Sequence, residues 1–100
     1  MTSGPALPTP DGELCETVTV CNQRGLHARA AAKFVKAANG FTADIQVVKG
    51  DVRVSGRSIM GLMMLAAARG TALKVCTQGE DSVAALAALA DLVKRGFDEK

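Results

Sequence analysis

The amino-acid sequence predicts a two-layer α+β domain, an open-faced sandwich in which a four-stranded antiparallel sheet carries three helices on one face. Four short segments alternate polar and apolar residues, and helical patterns between them give the order βαββαβα. The chain has 100 residues and 48% hydrophobic content, enough for one domain with a single core. Helices that cover one face of a short sheet form the second layer.

Residues 1–14 are predicted to be a flexible tail in front of a domain of residues 15–100. The tail contains all three prolines and no periodic apolar residues, so it has little surface to bury. It has neither the basic region nor the apolar stretch of a secretory signal. No run in the chain reaches the roughly 20 apolar residues of a membrane span. We therefore expect a cytoplasmic protein without membrane association.

The first strand is predicted at residues 16–22, where alternation puts Val18 and Val20 on the buried face. The first helix is predicted over residues 28–39. This run is rich in strong helix formers and contains no Gly or Pro before the glycine that stops it.

A hairpin is predicted next, with strands at 41–48 and 52–55 joined by a turn at 49–51 that has glycine at its centre. Ser58 then begins a short helix that runs to about Leu65, with the serine placed to cap its N-terminus.

The last strand is predicted at residues 71–77, again from alternation. An amphipathic helix follows Ser82 and ends near Gly96. Its apolar residues recur at helical spacing and are expected to face the sheet: Val83, Leu86, Leu89 and Val93.

The single histidine of the chain, His27, stands where a polar turn meets the first helix. Unpaired backbone N–H groups and the helix dipole favour an anion there and disfavour a positive charge on the ring, so the imidazole is predicted to be neutral and nucleophilic. Arg29 can hold phosphoryl oxygens with its forked guanidinium, and Gly25 permits the turn. The same residues also fit a plain helix cap beside a solvated surface charge.

Two segments, residues 25–35 (GLHARAAAKFV) and 56–65 (GRSIMGLMML), resemble the HPr family of histidine-containing phosphocarriers of the phosphoenolpyruvate-dependent phosphotransferase system. The resemblance covers residues 16 to about 97. It implies that His27 accepts a phosphoryl group on a ring nitrogen from Enzyme I and passes it to a histidine of an enzyme IIA-type acceptor. It also implies that Arg29 stabilises the phosphoryl group.

One position departs from the family pattern. The family usually has proline after the arginine, whereas this chain has Ala30. Alanine keeps the backbone N–H and a high helix propensity, so the helix is expected to form with a less constrained first turn. Alanine at this position resembles the nitrogen-related branch of the system.

By the same resemblance, Ser58 occupies the position of a regulatory phosphorylation site, with an HPr serine kinase/phosphorylase as the corresponding partner. A phosphate there would lie at a helix N-terminus and would be tolerated by the fold. Apolar residues on the short helix are expected to bind partner proteins: Ile59, Met60 and Met63.

The three cysteines, Cys15, Cys21 and Cys76, are scattered and form no C-x-x-C pair, so neither zinc binding nor redox chemistry is indicated. Cys21 and Cys76 fall in predicted strands as small strand residues. We expect reduced thiols, no metal site and no cofactor.

Charge and aromatic content argue against nucleic-acid binding. The net charge is only +2, and the aromatic residues are three Phe without Tyr or Trp. We expect protein partners and a monomer, since a relay must present one face to each partner in turn. A regulatory binding module controlled through Ser58 is the alternative function. One histidine without an orienting carboxylate or a metal motif in the sequence falls short of a self-sufficient enzyme.

Overall fold

The structure is a computed structural model that describes residues 12–99. Most of the predicted tail lies outside the described residues, and the first strand begins at Leu14. The elements follow the predicted order: β1 Leu14–Thr19, α1 Ala28–Ala38, β2 Asp44–Lys49, β3 Val52–Ser55, α2 Ile59–Met64, β4 Ala72–Gln78, α3 Ser82–Lys94, and a short 3₁₀ turn Gly96–Asp98.

The four strands form one antiparallel sheet in the order β1-β4-β2-β3, which confirms the predicted fold class. Alternate residues of the strands pack with the apolar sides of the helices in one core. Its largest fully buried side chains are Phe34, Ile45, Leu62, Leu73, Leu89 and Phe97.

Two predicted strands are shorter at one end than expected, because their backbone groups find partners outside the sheet. β1 stops at Thr19, and Val20 donates to the carbonyl of Thr71 at 2.9 Å as the chain leaves the sheet. β2 begins at Asp44. The two N–H groups before it, those of Thr42 and Ala43, donate to the carboxylate of Asp81 at 2.9 and 2.8 Å.

The predicted inward face of α3 is wrong at Val83, which is 72% exposed. The helix is apolar on most of its circumference, so helical spacing alone does not identify the buried side. Leu89 and Val93 are buried as predicted, and Leu86 is partly buried against the core.

The prediction of reduced thiols is wrong for two of the three cysteines. The register of β1 and β4 places Cys15 directly opposite Cys76, with their Cα atoms 4.1 Å apart, and the two form a disulfide. Their sequence separation of 61 hides this proximity in the sequence. Cys21 is a free, exposed thiol and lies beyond the end of β1 and not within a strand as predicted.

Candidate functional site

The loop before α1 is held against a second loop, which fixes the position of His27. Gly25 has φ +67°, and a Cβ atom there would lie 2.5 Å from the carbonyl oxygen of Ala67. Leu26 donates its N–H to that same carbonyl at 2.8 Å. Only glycine satisfies both the left-handed backbone and the close approach at position 25.

His27 is the N-cap of α1 and is only 16% exposed at its side chain. Its Nδ1 accepts a hydrogen bond from the backbone N–H of Arg29 at 3.2 Å, and its carbonyl accepts from Ala31 at 2.8 Å. The capping role considered from the sequence is therefore present. Because Nδ1 is an acceptor, its lone pair points toward the helix N-terminus, where an anion is favoured.

The other ring nitrogen of His27, Nε2, contacts the carboxylate of Glu99. Since an ionised carboxylate only accepts hydrogen bonds, Nε2 carries the proton, and the ring is the neutral Nε2–H tautomer, as inferred from these two contacts. Nδ1 is then the nitrogen with a free electron pair. The arrangement presents one defined nucleophilic atom.

Asn22 holds Glu99 in place. Its side-chain amide donates to Glu99 Oε1 at 2.9 Å and to the carbonyl of Gly25 at 2.8 Å, so it ties the carboxylate to the turn that carries His27. The hydrogen bond from Asn22 is the main cause that lowers the pKa of Glu99, assisted by the bond from His27 and by the charge of Arg24, while partial burial opposes the shift. Glu99 therefore remains a charged acceptor.

The 3₁₀ turn after α3 brings Glu99 to the site. Phe97 is fully buried and has φ +57°, and its carbonyl accepts a hydrogen bond from Lys33 of α1 at 2.8 Å. Gly96 also has a positive φ and packs against Asn22. A buried aromatic anchor and one charged hydrogen bond thus dock the chain beside His27.

Cationic side chains surround this pair. A depression of about 400 Å³ is lined by Arg24, Arg29, Lys33, Asp98 and Glu99. A smaller one of about 220 Å³ is lined by Arg24, Leu26, His27 and Ala66–Ala68. The guanidinium of Arg29 is exposed and hydrogen-bonds no residue within 12–99, so it is available to an incoming anion.

Ser58 lies at the N-cap of α2, as predicted, and its Oγ accepts from the N–H of Gly61 at 2.9 Å. α2 buries Leu62 against the core and packs beside α1. Its outer side exposes four large apolar residues, here called the α2 apolar patch: Ile59, Met60, Met63 and Met64. Met64, exposed by 76%, was absent from the predicted partner-binding residues.

Glu99, Asn22, Arg24 and Lys33 were missed by the sequence prediction. Glu99 stands 72 residues after His27, and no local pattern signals that the two meet. The predicted pair His27 and Arg29 is brought together by the first turn of α1, whereas Ser58 caps a different helix.

Within residues 12–99, one group of metal-binding donor atoms lies within 4.8 Å of one another: those of Glu13, Cys15 and Cys76. The two sulfurs are bonded to each other, so neither offers a thiolate to a metal ion. None of the helices in the described range is long and apolar enough to cross a bilayer.

Residues 14–95 match the family model PTS-HPr, described as the PTS HPr component phosphorylation site. The chain is 48% identical over 86 residues to phosphocarrier protein HPr of Neisseria meningitidis serogroup A, covering 86% of this chain and 97% of that protein. It is 44% identical over 82 residues to phosphocarrier protein NPr of Shewanella violacea, covering 82% of this chain and 90% of that protein. The crystal structure of HPr-C-His from Thermoanaerobacter tengcongensis has a TM-score of 0.82 and 40% identity, covering 86% and 97%.

The family match spans most of the chain and includes the histidine at the N-terminus of α1. Relatives named HPr and NPr are both more than 40% identical over nearly their whole length. The chain is therefore a member of the HPr family of the phosphotransferase system, a carrier of phosphoryl groups and not a self-sufficient enzyme.

Proposed function

We propose that His27 accepts a phosphoryl group from the phosphorylated histidine of Enzyme I and passes it to a histidine of an enzyme IIA-type acceptor. The observation that carries this proposal is that the two ring nitrogens of His27 have different partners. Nε2 is engaged by Glu99, while Nδ1 keeps its electron pair and faces the N–H of Arg29. A neutral imidazole with one free nitrogen is the form that can attack phosphorus.

In the acceptance step, the Nδ1 electron pair of His27 forms a bond to phosphorus as the P–N bond of the donor phosphohistidine breaks. The bonding pair of the broken bond returns to the donor nitrogen. The Nε2 proton stays on His27, and the ring becomes cationic. Glu99, held by Asn22, offsets that positive charge without having to move.

The transferred group needs donors for its oxygens. The N–H of Arg29 now bonds Nδ1 and would turn to a phosphoryl oxygen. The first-turn amides of α1 and the guanidinium of Arg29 supply further positive potential. Delivery to the acceptor reverses the same step, with the acceptor histidine as nucleophile.

We propose that the chain belongs to the nitrogen-related branch, because Ala30 stands where the family usually has proline. Ala30 is fully buried, and α1 begins at Ala28, so the first turn forms without proline. The branch is tested by comparing transfer rates from phosphorylated His27 to a nitrogen-related and to a sugar-specific IIA acceptor. Faster transfer to the sugar-specific acceptor would contradict the assignment.

We propose that the α2 apolar patch is the docking surface for these partners and that Ser58, at its edge, is phosphorylated by an HPr serine kinase/phosphorylase. Flexible methionine side chains adapt to more than one partner surface. The domain, which begins no later than Leu14 of β1, would act as a cytoplasmic monomer.

The experiment that tests the relay is incubation with phosphoenolpyruvate, Enzyme I and a phosphorus label, followed by acid. Phosphohistidine is labile in acid, whereas phosphoserine survives. We expect wild type and Ser58→Ala to carry acid-labile label and His27→Ala to carry none. Acid-labile label on His27→Ala would disprove the assignment.

A further inference from the structure

Arg24 lies in the loop that presents His27, three residues before it. Its side chain is exposed and makes no hydrogen bond or ion pair with any residue from 12 to 99. It lines both depressions at the site, whereas Arg29 lines only one of them. Arg24 is therefore the cationic residue common to the imidazole side of the site and to the side formed by the chain after α3.

The loop that carries Arg24 is anchored on both sides. The N–H of Gly25 donates to the carbonyl of Asn22 at 3.2 Å, and Leu26 is bonded to Ala67. The Asn22 amide also bonds the carbonyl of Gly25 at 2.8 Å. A guanidinium on a constrained turn beside the ring loses less freedom on binding an anion than one on a mobile loop.

The other cationic side chains near the site, apart from Arg29, are held in place by hydrogen bonds of their own. Lys33 donates to the carbonyl of Phe97, and Arg95 binds Asp98 at 2.9 Å. Arg24 acts on the site through its charge, which contributes to lowering the pKa of Glu99. Its positive charge is thus directed at the Glu99–His27 pair and is not neutralised by a partner of its own.

A count of charges shows what a phosphorylated site requires. A phosphoryl group carries about two negative charges at neutral pH, and Glu99 adds one. The cationic phosphohistidine ring and Arg29 supply two positive charges, and the ammonium of Lys33, which is bonded to an uncharged carbonyl, supplies a third. Arg24 adds a further guanidinium that lines both sides of the site and has no hydrogen-bond partner within residues 12–99, so it can contact the phosphoryl oxygens directly.

We propose that Arg24 is a second guanidinium contact for the phosphoryl group on His27, acting from the loop while Arg29 acts from α1. This inference rests on the proposed function, in which His27 carries the phosphoryl group. Arg24 then stabilises the dianionic phosphoryl form. A role confined to docking an acidic partner would leave that form unaffected.

The test uses the protein alone, without Enzyme I or an acceptor. Phosphoramidate phosphorylates histidine chemically, and because His27 is the only histidine, the phosphohistidine signal in a phosphorus NMR spectrum belongs to it. The pKa of the phosphoryl group is then measured by pH titration in wild type, Arg24→Ala, Arg24→Lys and Arg53→Ala. Arg53 is an exposed arginine on the edge strand β3, paired with Glu13 at 3.0 Å, and serves as the charge-matched control.

Arg24→Ala is expected to raise the phosphoryl pKa by about half a pH unit, because a nearby cation no longer favours the dianion. Arg24→Lys should retain part of the effect, and Arg53→Ala should match wild type. A titration of Arg24→Ala equal to wild type overturns the inference. If in addition its apparent affinity for Enzyme I falls, Arg24 is a docking residue.

Failure of the proposed function gives a different result. Wild type that accepts phosphate from phosphoramidate but not from Enzyme I contradicts the relay. The role of Arg24 is still decided by the titration of the chemically phosphorylated protein.

Discussion

The carboxylate of Glu99 bonds Nε2 of His27 across 72 positions of sequence and leaves Nδ1 as the free ring nitrogen. This contact joins the chain after α3 to the chain before α1. Glu99 contacts only the Nε2 side of the ring, so in the proposed reaction it is a positioning residue that acts through the imidazole. Its loss should change which nitrogen carries the proton before it changes anything else.

Glu99→Ala is expected to populate both neutral tautomers of His27 and to slow phosphoryl acceptance roughly tenfold, because the developing ring charge loses its counter-ion. Glu99→Gln keeps a hydrogen-bond acceptor without the charge, so its rate of phosphoryl acceptance should lie between those of wild type and Glu99→Ala. Nitrogen NMR shifts of the His27 ring report the tautomer, and stopped-flow labelling reports the rate. A single Nε2–H tautomer in Glu99→Ala would show that the carboxylate does not set it.

Arg29→Ala should still be phosphorylated on His27, but about tenfold more slowly, equivalent to ~1.4 kcal/mol of transition-state stabilisation. The nucleophile and the backbone N–H are retained, and only the guanidinium is lost. The rate is measured at saturating Enzyme I. Lys36→Ala, which removes a positive charge at the other end of α1, is the control. Equal rates in Arg29→Ala and wild type would make Arg29 a surface charge.

Ser58→Asp is expected to weaken the apparent affinity for Enzyme I roughly tenfold, because the carboxylate lies beside the α2 apolar patch and must be desolvated at an interface. Its stability should stay near wild type, since Asp also caps helices, whereas Ser58→Ala should lose about 1 kcal/mol. The measurement is the rate of His27 phosphorylation against Enzyme I concentration. Identical curves for all three proteins would leave Ser58 as a structural cap.

The free energy of unfolding should fall in acid as the carboxylate of Asp81 becomes protonated. The N–H groups of Thr42 and Ala43 hydrogen-bond its carboxylate, and the bond from Thr42 is the largest cause that lowers its pKa from 3.8. A depressed pKa contributes stability above the ordinary value and loses it as pH falls through the folded-state value. Asp81→Asn should therefore show a lower urea midpoint at pH 7 and a smaller loss below pH 3.8. Glu80→Gln, the exposed neighbour, should retain the wild-type profile.

Reduction of the Cys15–Cys76 disulfide should lower the free energy of unfolding by up to about 4 kcal/mol, the loop-closure value for a sequence separation of 61. Denaturation with and without dithiothreitol measures this. Cys15→Ser should have the same denaturation midpoint with and without dithiothreitol. Cys21→Ser should lose stability on reduction as wild type does. A reducing compartment keeps thiols reduced, so the bridge is expected only under oxidising conditions. An unchanged midpoint on reduction would contradict the prediction.

The fold could be predicted from the sequence where local pattern decides it. β3 and α1 lie within a residue of their predicted bounds, because alternation, helix propensity and a glycine stop are all local signals. The start of β2 could not be predicted in this way. The backbone N–H groups before it bond Asp81, which is 38 residues further on from Ala43.

In the candidate site, too, the residues set by local pattern could be predicted and those brought in from distant sequence could not. His27 and Arg29 are two residues apart, and their chemistry can be inferred from residue type and helix position alone. Glu99 enters through a turn with two left-handed non-glycine residues, Phe97 and Asp98, which sequence patterns do not anticipate. The proposed nucleophile could therefore be predicted from the sequence, whereas its orientation by Glu99 could not.

The covalent link between β1 and β4 also limits how far the molecule can be stretched. Cys15 and Cys76 are 61 positions apart, so the intervening chain, with α1, β2, β3 and α2, is a closed loop. Pulled from its two termini, an oxidised molecule lengthens only through residues outside that loop. The enclosed chain would span roughly 200 Å when extended. Reduction under tension would release this length in one step, so the oxidation state of two sulfur atoms sets the contour length available to a pulling force.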